Sequence, residues 1–171
     1  LVQVHVPPQA PDPVATVIAL EIAGAPDIVR MPILPQPDGC VVLSPLEAEI
    51  RNPPGAQAKP ENRYDDTWNI GFWTDARSTV SWRFRTKRPA AYRLSAGVAQ
   101  PHANARLFVE VGEHSLPVTP PNTGAYDRFR QVDLGTVSLP AGDHTLRLRP
   151  NPDAWSPVNL RTVTLRPVET D

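Results

Sequence analysis

Hydrophobic and polar residues alternate along much of the chain with the two-residue period of β-strands, in which successive side chains point to opposite faces. The predicted inward-facing sets are Val80, Trp82 and Phe84 in TVSWRFR, Tyr92, Leu94, Ala96 and Val98 in AYRLSAGV, and His144, Leu146 and Leu148 in HTLRLR. No segment keeps a helical period for three turns. Many short strands at regular spacing predict an all-β fold, either a β-sandwich or a jelly roll.

Turn residues separate the predicted strands, as in KRPA, VGE and PAGD. The chain contains 22 prolines among 171 residues, well above the average usage of about 5%. Because proline has no N–H and breaks helices, this composition favours short strands joined by rigid turns. Hydrophobic residues make up 40% of the chain and include four tryptophans, enough to build a core.

Residues 1–6 and 14–22 are predicted strands that stand apart from the rest. The segment 23–39 contains four prolines and no periodicity, which is typical of a semi-rigid linker. We therefore predict two strands of a neighbouring β-domain in residues 1–28, a linker in 29–39 and the main β-sandwich in 40–171. Residues 51–68 form a long predicted loop, a length that is uncommon unless the loop is functional or disordered.

Charge and cysteine content exclude several classes of function. The net charge of −1 provides no overall field for nucleic acid or acidic lipid, so neither is an expected partner. Cys40 is the only cysteine, which rules out an intrachain disulfide and a cysteine metal cluster. No run of about 18 apolar residues is present, so no membrane span is predicted.

The sequence offers no recognisable catalytic motif. It lacks G-x-S-x-G, a glycine-rich phosphate loop and H-E-x-x-H, and its four histidines are far apart. Paired carboxylates can hydrolyse glycosides, and the candidates are Asp65 with Asp66 and Glu47 with Glu49. Asp65 and Asp66 follow a proline-rich stretch, where adjacent carboxylates are usually solvated turn residues. We predict that the chain is not an enzyme by itself.

Residues 11–28, PDPVATVIALEIAGAPDI, are similar to the final strands of the small β-sandwich that follows the catalytic barrel in family 29 glycoside hydrolases, the α-L-fucosidases. The resemblance implies that the chain comes from the C-terminal region of such an enzyme, with the catalytic barrel as its partner in cis. The first residue, Leu1, already lies in a predicted strand, so we expect a fragment whose targeting signal lies upstream. The implied location is secreted or periplasmic.

Residues 41–168 resemble carbohydrate-binding modules of families 6 and 35, which have a galactose-binding-like β-sandwich. The resemblance is carried by LEAEI, NIGFWTDARSTVSWRF, RPAAYRLSAGVA, NTGAYDRFRQVDLGTVSLPAGDHTLRLRP and VNLRTVTL, in that order. It implies that the chain is an accessory domain that binds a glycan. The alternative is a structural domain with the same sandwich, which packs on the catalytic domain without binding sugar.

The resemblance implies a sugar cleft in which aromatic rings stack on the sugar and an asparagine amide holds its hydroxyls. Asn159 matches that asparagine, Tyr126 matches the aromatic of the T-G-x-W turn, and Phe72 or Trp73 matches the aromatic after N-x-G. Trp155 is a candidate for a further wall of the cleft. Exposed rings around a concave patch favour binding, whereas buried rings, or an Asn159 amide buried against backbone, favour the structural alternative.

The resemblance also implies a structural calcium, held by the two glutamates of an E-A-E segment and by an acidic residue in the last strand. Glu47 and Glu49 match the first part, and both would share one face of a strand. Arg161 stands where the last acidic residue is expected, and a guanidinium supplies no oxygen ligand. We therefore favour no metal and no cofactor, with Arg161 paired to one of the glutamates instead; the alternative is a calcium ion held by Glu47 and Glu49.

Overall fold

The computed structural model describes residues 31–168 except Tyr64 and Ala103. Before residue 31 it describes His5, Pro8, Gln9, Asp12, residues 16–19, Glu21, Ala23 and Gly24. The chain divides into two compact units, Leu1–Arg30 and Met31–Asp171. No helix among the described residues is long and apolar enough to cross a membrane.

The predicted strand at residues 1–6 lies outside the described residues, apart from His5. Within the predicted strand at residues 14–22, the described residues 16–19 belong to no sheet, and Val17 and Ile18 are exposed. The division into residues 1–28, 29–39 and 40–171 stays a prediction.

In the second unit, eleven strands among the described residues form two antiparallel sheets and make the fold all-β, as predicted. The strands are β1 (Val41–Leu43), β2 (Glu49–Arg51), β3 (Lys59–Glu61), β4 (Asn69–Trp73), β5 (Thr79–Thr86), β6 (Ala90–Ala99), β7 (Leu107–Val111), β8 (His114–Val118), β9 (Arg130–Leu139), β10 (Gly142–Pro150) and β11 (Val158–Pro167). One sheet has the order β3-β4-β11-β6-β9, and the other has the order β2-β5-β10-β7-β8. β1 also pairs with β11, at the end away from β4.

The inward faces of the two sheets form one hydrophobic core. Val80, Trp82 and Phe84 are all buried, which confirms the alternation predicted for this strand. The indole Nε1 of Trp82 donates a hydrogen bond of 2.7 Å to the carbonyl of Ser44, so its one polar group is satisfied inside the sandwich. These strands bury the apolar set that the sequence places on one face.

Ile33 extends the second sheet beside β5 by a parallel bridge to Phe84. The backbone N–H of Ile33 donates to the carbonyl of Arg83, and its carbonyl accepts from the N–H of Arg85, both at 2.9 Å. Part of the predicted linker, 29–39, is therefore paired to the sandwich.

Two local predictions are corrected. The segment LEAEI is not one strand, because Pro45–Glu47 forms a short 3₁₀ helix and β2 begins only at Glu49. Ser44 caps that helix by accepting a hydrogen bond from the N–H of Leu46, and Pro45 is suited to the first helical position. The predicted loop 51–68 contains the three-residue strand β3, which pairs with β4.

Candidate functional site

A β-bulge in β4 places Phe72 next to Asn159. Ile70 pairs with Leu160 and Trp73 with Val158, so Gly71 and Phe72 together lie opposite Asn159. Phe72 has a φ of 54°, a conformation that costs a non-glycine residue of order 1–3 kcal/mol. Bulges redirect side chains, and Phe72 is 41% exposed although its neighbour Trp73 is completely buried. The backbone of β4 is thus strained at the residue whose aromatic ring is exposed to solvent.

The Phe72 ring lies beside a cavity of about 200 Å³, here termed the Phe72 cavity. Its lining includes Glu61, Arg63, Phe72, Thr74, Tyr126 and Asn159. These residues come from β3 and the loop after it, from the end of β4, from the turn before β9 and from the start of β11. The cavity thus combines two aromatic rings with charged, hydroxyl and amide groups.

The carboxylate of Glu61 is held across Gly71. A Cβ atom added to Gly71 would overlap this carboxylate, so the glycine leaves the space that Glu61 occupies. The buried Asn69 donates through Nδ2 to Oε1 of Glu61 at 3.3 Å. The ammonium of Lys59 lies 4.8 Å from the centroid of the Phe72 ring, a cation–π contact. Lys59 therefore lies over the ring, and Glu61 and Arg63 line the cavity beside it.

Asn159 is only 4% exposed and anchors the turn that carries Tyr126. Its Nδ2 donates to the backbone carbonyl of Tyr126 at 2.9 Å. The same turn is held by Thr123, whose backbone N–H donates to the carbonyl of Gln100 and whose hydroxyl accepts from the N–H of Gln100, both at 2.8 Å. An asparagine amide has two N–H donors and one oxygen, so this bond uses only part of its capacity.

Of the predicted aromatic residues, Phe72 and the partly buried Tyr126 line the cavity with accessible side chains. Trp73 also borders the cavity, but it is completely buried and donates through Nε1 to the carbonyl of Ser78 at 3.1 Å. Trp155 packs against Trp73, with ring centroids 5.2 Å apart, and is not part of the cavity lining. Trp73 thus belongs to the core and Trp155 packs against it while partly buried, and the predicted sugar contacts of both residues stay a prediction.

Glu61, Arg63 and Thr74 also line the cavity, although the sequence patterns did not single them out. Glu61 and Arg63 lie inside the segment 51–68. The unusual length of this predicted loop was the one sequence feature that pointed to a functional role for it. Thr74 follows directly after the predicted aromatic pair in β4.

The residues implied for a calcium site do not fit one in this structure. Glu47 lies in the 3₁₀ helix and Glu49 in β2, so they do not share a strand face. The carboxylate of Glu49 is paired with Arg51 at 3.0 Å. Among the described residues, no group of three or more acidic, histidine or cysteine side chains could hold a metal ion. Calcium needs about six to eight oxygen ligands, more than this arrangement offers.

Arg161 was predicted to pair with Glu47 or Glu49, and that prediction is wrong. Nη2 of Arg161 instead donates to Oδ2 of Asp65 at 2.5 Å, across the loop after β3. This hydrogen bond holds the pKa of the Asp65 carboxyl below its usual value, so Asp65 stays ionised at neutral pH. An ionised, paired carboxylate is a poor general acid, so Asp65 is not suited to protonate a glycosidic oxygen.

We expect calcium and a chelator to leave the melting temperature unchanged. A ligand that binds only the folded state raises stability with its concentration, whereas an ion without a site does not. The measurement is a thermal scan with millimolar calcium and with excess chelator, and magnesium serves as the control for ionic strength. A calcium-specific rise in the melting temperature that the chelator reverses would contradict this prediction.

No protein-family model and no curated protein matches the chain. Among solved structures it is similar to the C-terminal family 6 carbohydrate-binding module of LamC, a laminarinase of Zobellia galactanivorans, at a TM-score of 0.62 and 17% identity, covering 74% of this chain and 98% of that one. It is also similar to the module CBM6cm-2 of Cellvibrio mixtus lichenase 5A in complex with cellotriose, at a TM-score of 0.60 and 19% identity, covering 75% of this chain and 98% of that one.

A family 35 carbohydrate-binding module of Clostridium thermocellum gives a TM-score of 0.60 at 16% identity and covers 75% of this chain and 98% of that one. All three likenesses agree with the two-sheet architecture and show a β-sandwich of the jelly-roll type. At such low identities they show the fold alone, so the function has to be argued from the site.

Proposed function

We propose that this chain is a non-catalytic carbohydrate-binding domain and that the Phe72 cavity holds one sugar residue. The observation that carries the proposal is the Phe72 ring, which a strained bulge turns out to solvent beside Asn159. An aromatic ring supports the apolar C–H face of a sugar, and planar polar groups hold its hydroxyls. The likeness to carbohydrate-binding modules, one of them in complex with cellotriose, supports the same ligand class.

The size and charge of the cavity narrow the ligand class. At about 200 Å³ the cavity is smaller than the roughly 300–1,000 Å³ of typical small-molecule sites, which favours one sugar ring over several. Glu61 accepts hydrogen bonds and Arg63 donates them, so adjacent hydroxyls of one sugar can satisfy both residues. Because the two charges are opposite, a neutral sugar fits this pair better than an anionic one.

We further propose that the domain belongs to a secreted or periplasmic glycoside hydrolase of the α-L-fucosidase type, with the catalytic barrel in cis. This part rests on the resemblance of residues 11–28 to the strands that follow such a barrel. In such a protein the domain would keep the hydrolase near its glycan. Reading the gene upstream of Leu1 tests the proposal, since it requires a barrel-encoding segment there.

A purely structural domain is the second candidate, and specific observations favour it. The Asn159 amide is buried and bonded to the backbone carbonyl of Tyr126, and the completely buried Trp73 packs against the partly buried Trp155. If the domain is structural, these groups serve only to stabilise the rim of the sandwich. The accessible ring of Phe72 is the feature that this hypothesis leaves unexplained.

Titration of the ¹⁵N-labelled chain with sugars separates the two candidates. The panel is D-galactose, D-mannose, D-xylose, L-fucose and cellotriose, each raised to millimolar concentration. We expect at least one sugar to shift the amide resonances of Phe72, Tyr126 and Asn159, with a Kd between micromolar and millimolar, equivalent to roughly −8 to −4 kcal/mol. If no sugar shifts these resonances, the structural hypothesis stands and the binding proposal fails.

A further inference from the structure

Arg161 lies at a second bulge, two residues after Asn159 in β11. Leu160 pairs with Val98 and Val163 with Ala96, so Arg161 and Thr162 together lie opposite Gly97. A Cβ atom added to Gly97 would be 3.2 Å from Cβ of Arg161 and 3.5 Å from its Cδ. The Arg161 side chain therefore runs over Gly97, along the outer face of the sheet.

The guanidinium of Arg161 contacts two loop segments at once. Its Nη2 donates to Oδ2 of Asp65, and its Cζ lies 3.7 Å from the centroid of the Phe129 ring. Asp65 is two residues after Arg63, and Phe129 is three residues after Tyr126. Both Arg63 and Tyr126 line the Phe72 cavity, whereas Arg161 does not. One side chain thus joins two loops that each supply a residue of the lining.

We propose that Arg161 is a positioning residue for the Phe72 cavity, because its contacts with Asp65 and Phe129 fix the loops that carry Arg63 and Tyr126. These two contacts are termed the Arg161 link. The inference rests on the proposed sugar-binding function and assigns it a residue that does not touch the sugar.

The two loops lie outside the strand pairing of the sheets, and the Arg161 link adds to the hydrogen bonds of Asn159 and Thr123 that already hold the second loop. Residues 62–68 follow β3 and residues 119–129 precede β9, and their described residues belong to no strand. Asp65 is itself oriented by its own loop, since its Oδ1 accepts from the backbone N–H of Thr67 at 3.3 Å. The central strand β11, which is paired on both sides, is the rigid element from which Arg161 reaches them.

The chemistry of the link requires arginine. A planar guanidinium can donate to a carboxylate while it stacks on an aromatic ring, and a lysine ammonium has no plane to stack. Arg161→Lys should therefore keep the attraction to Asp65 and lose the stacking on Phe129. Asp65→Glu keeps the carboxylate and serves as the conservative variant on the other side.

The test compares Arg161→Met, Arg161→Lys, Asp65→Asn and Asp65→Glu in the full chain. Amide hydrogen exchange reports the order of residues 62–68 and 119–129, and titration with cellotriose and L-fucose reports binding. Arg93→Met is the matched control, since Arg93 also pairs with an aspartate, Asp133, at 2.9 Å on the same sheet. Arg93 lies six positions before Ala99 in β6, and Ala99 pairs with Asn159 of the cavity. At about 3.3 Å per residue, Arg93 is therefore roughly 20 Å from the cavity.

Arg161→Met is expected to speed exchange in both loops and to weaken sugar binding about tenfold. Asp65→Asn should speed exchange in residues 62–68 only and weaken binding about two- to fivefold, because an exposed ion pair contributes little. Arg161→Lys should loosen mainly residues 119–129. Asp65→Glu and Arg93→Met should leave both measurements unchanged.

Unchanged exchange in both loops of Arg161→Met, or faster exchange throughout the sandwich with no loop preference, overturns the inference. So does unchanged affinity in a variant whose loops have become mobile. Asp65 lies in an exposed loop, so Asp65→Asn keeps the test decisive even if Arg161→Met does not fold. If neither sugar binds the unaltered chain, the sugar proposal loses these two ligands, while hydrogen exchange still decides whether Arg161 orders the loops.

Discussion

Replacement of Trp82 by alanine is expected to lower the free energy of unfolding by about 3–5 kcal/mol. Trp82 is 1% exposed at the centre of β5, where it pairs with Leu146 of β10. Removal of the indole leaves a large cavity between the two sheets, because a packed core relaxes only in part. The carbonyl of Ser44 also loses its donor, next to the start of the 3₁₀ helix. Chemical denaturation followed by far-UV circular dichroism measures the loss.

Two further variants show how much of this loss comes from the size of the buried side chain. Trp82→Phe keeps an aromatic ring of smaller volume and loses the hydrogen bond to Ser44, so we expect a smaller loss of about 1–3 kcal/mol. Trp68→Ala is the matched control, because Trp68 is 37% exposed in the loop before β4 and makes the same chemical change. If Trp82→Ala were no more destabilised than Trp68→Ala, the inward orientation of β5 would be contradicted.

The two-layer fold could be predicted because alternation depends on neighbouring residues alone. A strand that buries one face must place apolar side chains at every second position, so the faces of β5, β6 and β10 are visible in the sequence. The same rule failed at Glu47 and Glu49, whose spacing of two residues imitates a strand. Ser44 and Pro45 instead begin a short 3₁₀ helix, a capping signal that outweighs the alternation.

The candidate site was only partly predictable because it depends on irregular pairing. Trp73 and Phe72 are adjacent, and in a regular strand one would face the core and the other the solvent. The bulge opposite Asn159 determines which ring is exposed, and its position depends on the register with β11, a distant segment. The pairing of Arg161 with Asp65 instead of a glutamate has the same origin, since 96 positions separate the partners.

Phe72→Ala is expected to weaken sugar binding about tenfold or more, which is enough to take a millimolar interaction out of the measurable range. Phe72 is the exposed ring of the cavity, whereas Trp73 is buried and cannot replace it. Because Phe72 is 41% exposed, its truncation should cost the fold little. The resonance shifts caused by D-galactose, D-mannose, D-xylose, L-fucose and cellotriose measure the affinity before and after the change.

Phe108→Ala is the matched control for this loss of a ring. Phe108 lies on the other sheet and also carries a cation over its ring, with Cζ of Arg149 at 4.6 Å from the centroid, much as Lys59 lies over Phe72. Both variants therefore remove a phenyl ring and a cation–π contact, but only Phe72 lines the cavity. Phe72→Tyr keeps a ring at the site and should retain binding. If Phe72→Ala and Phe108→Ala lost equal sugar affinity, or if neither lost any, the Phe72 ring would not be part of the binding site.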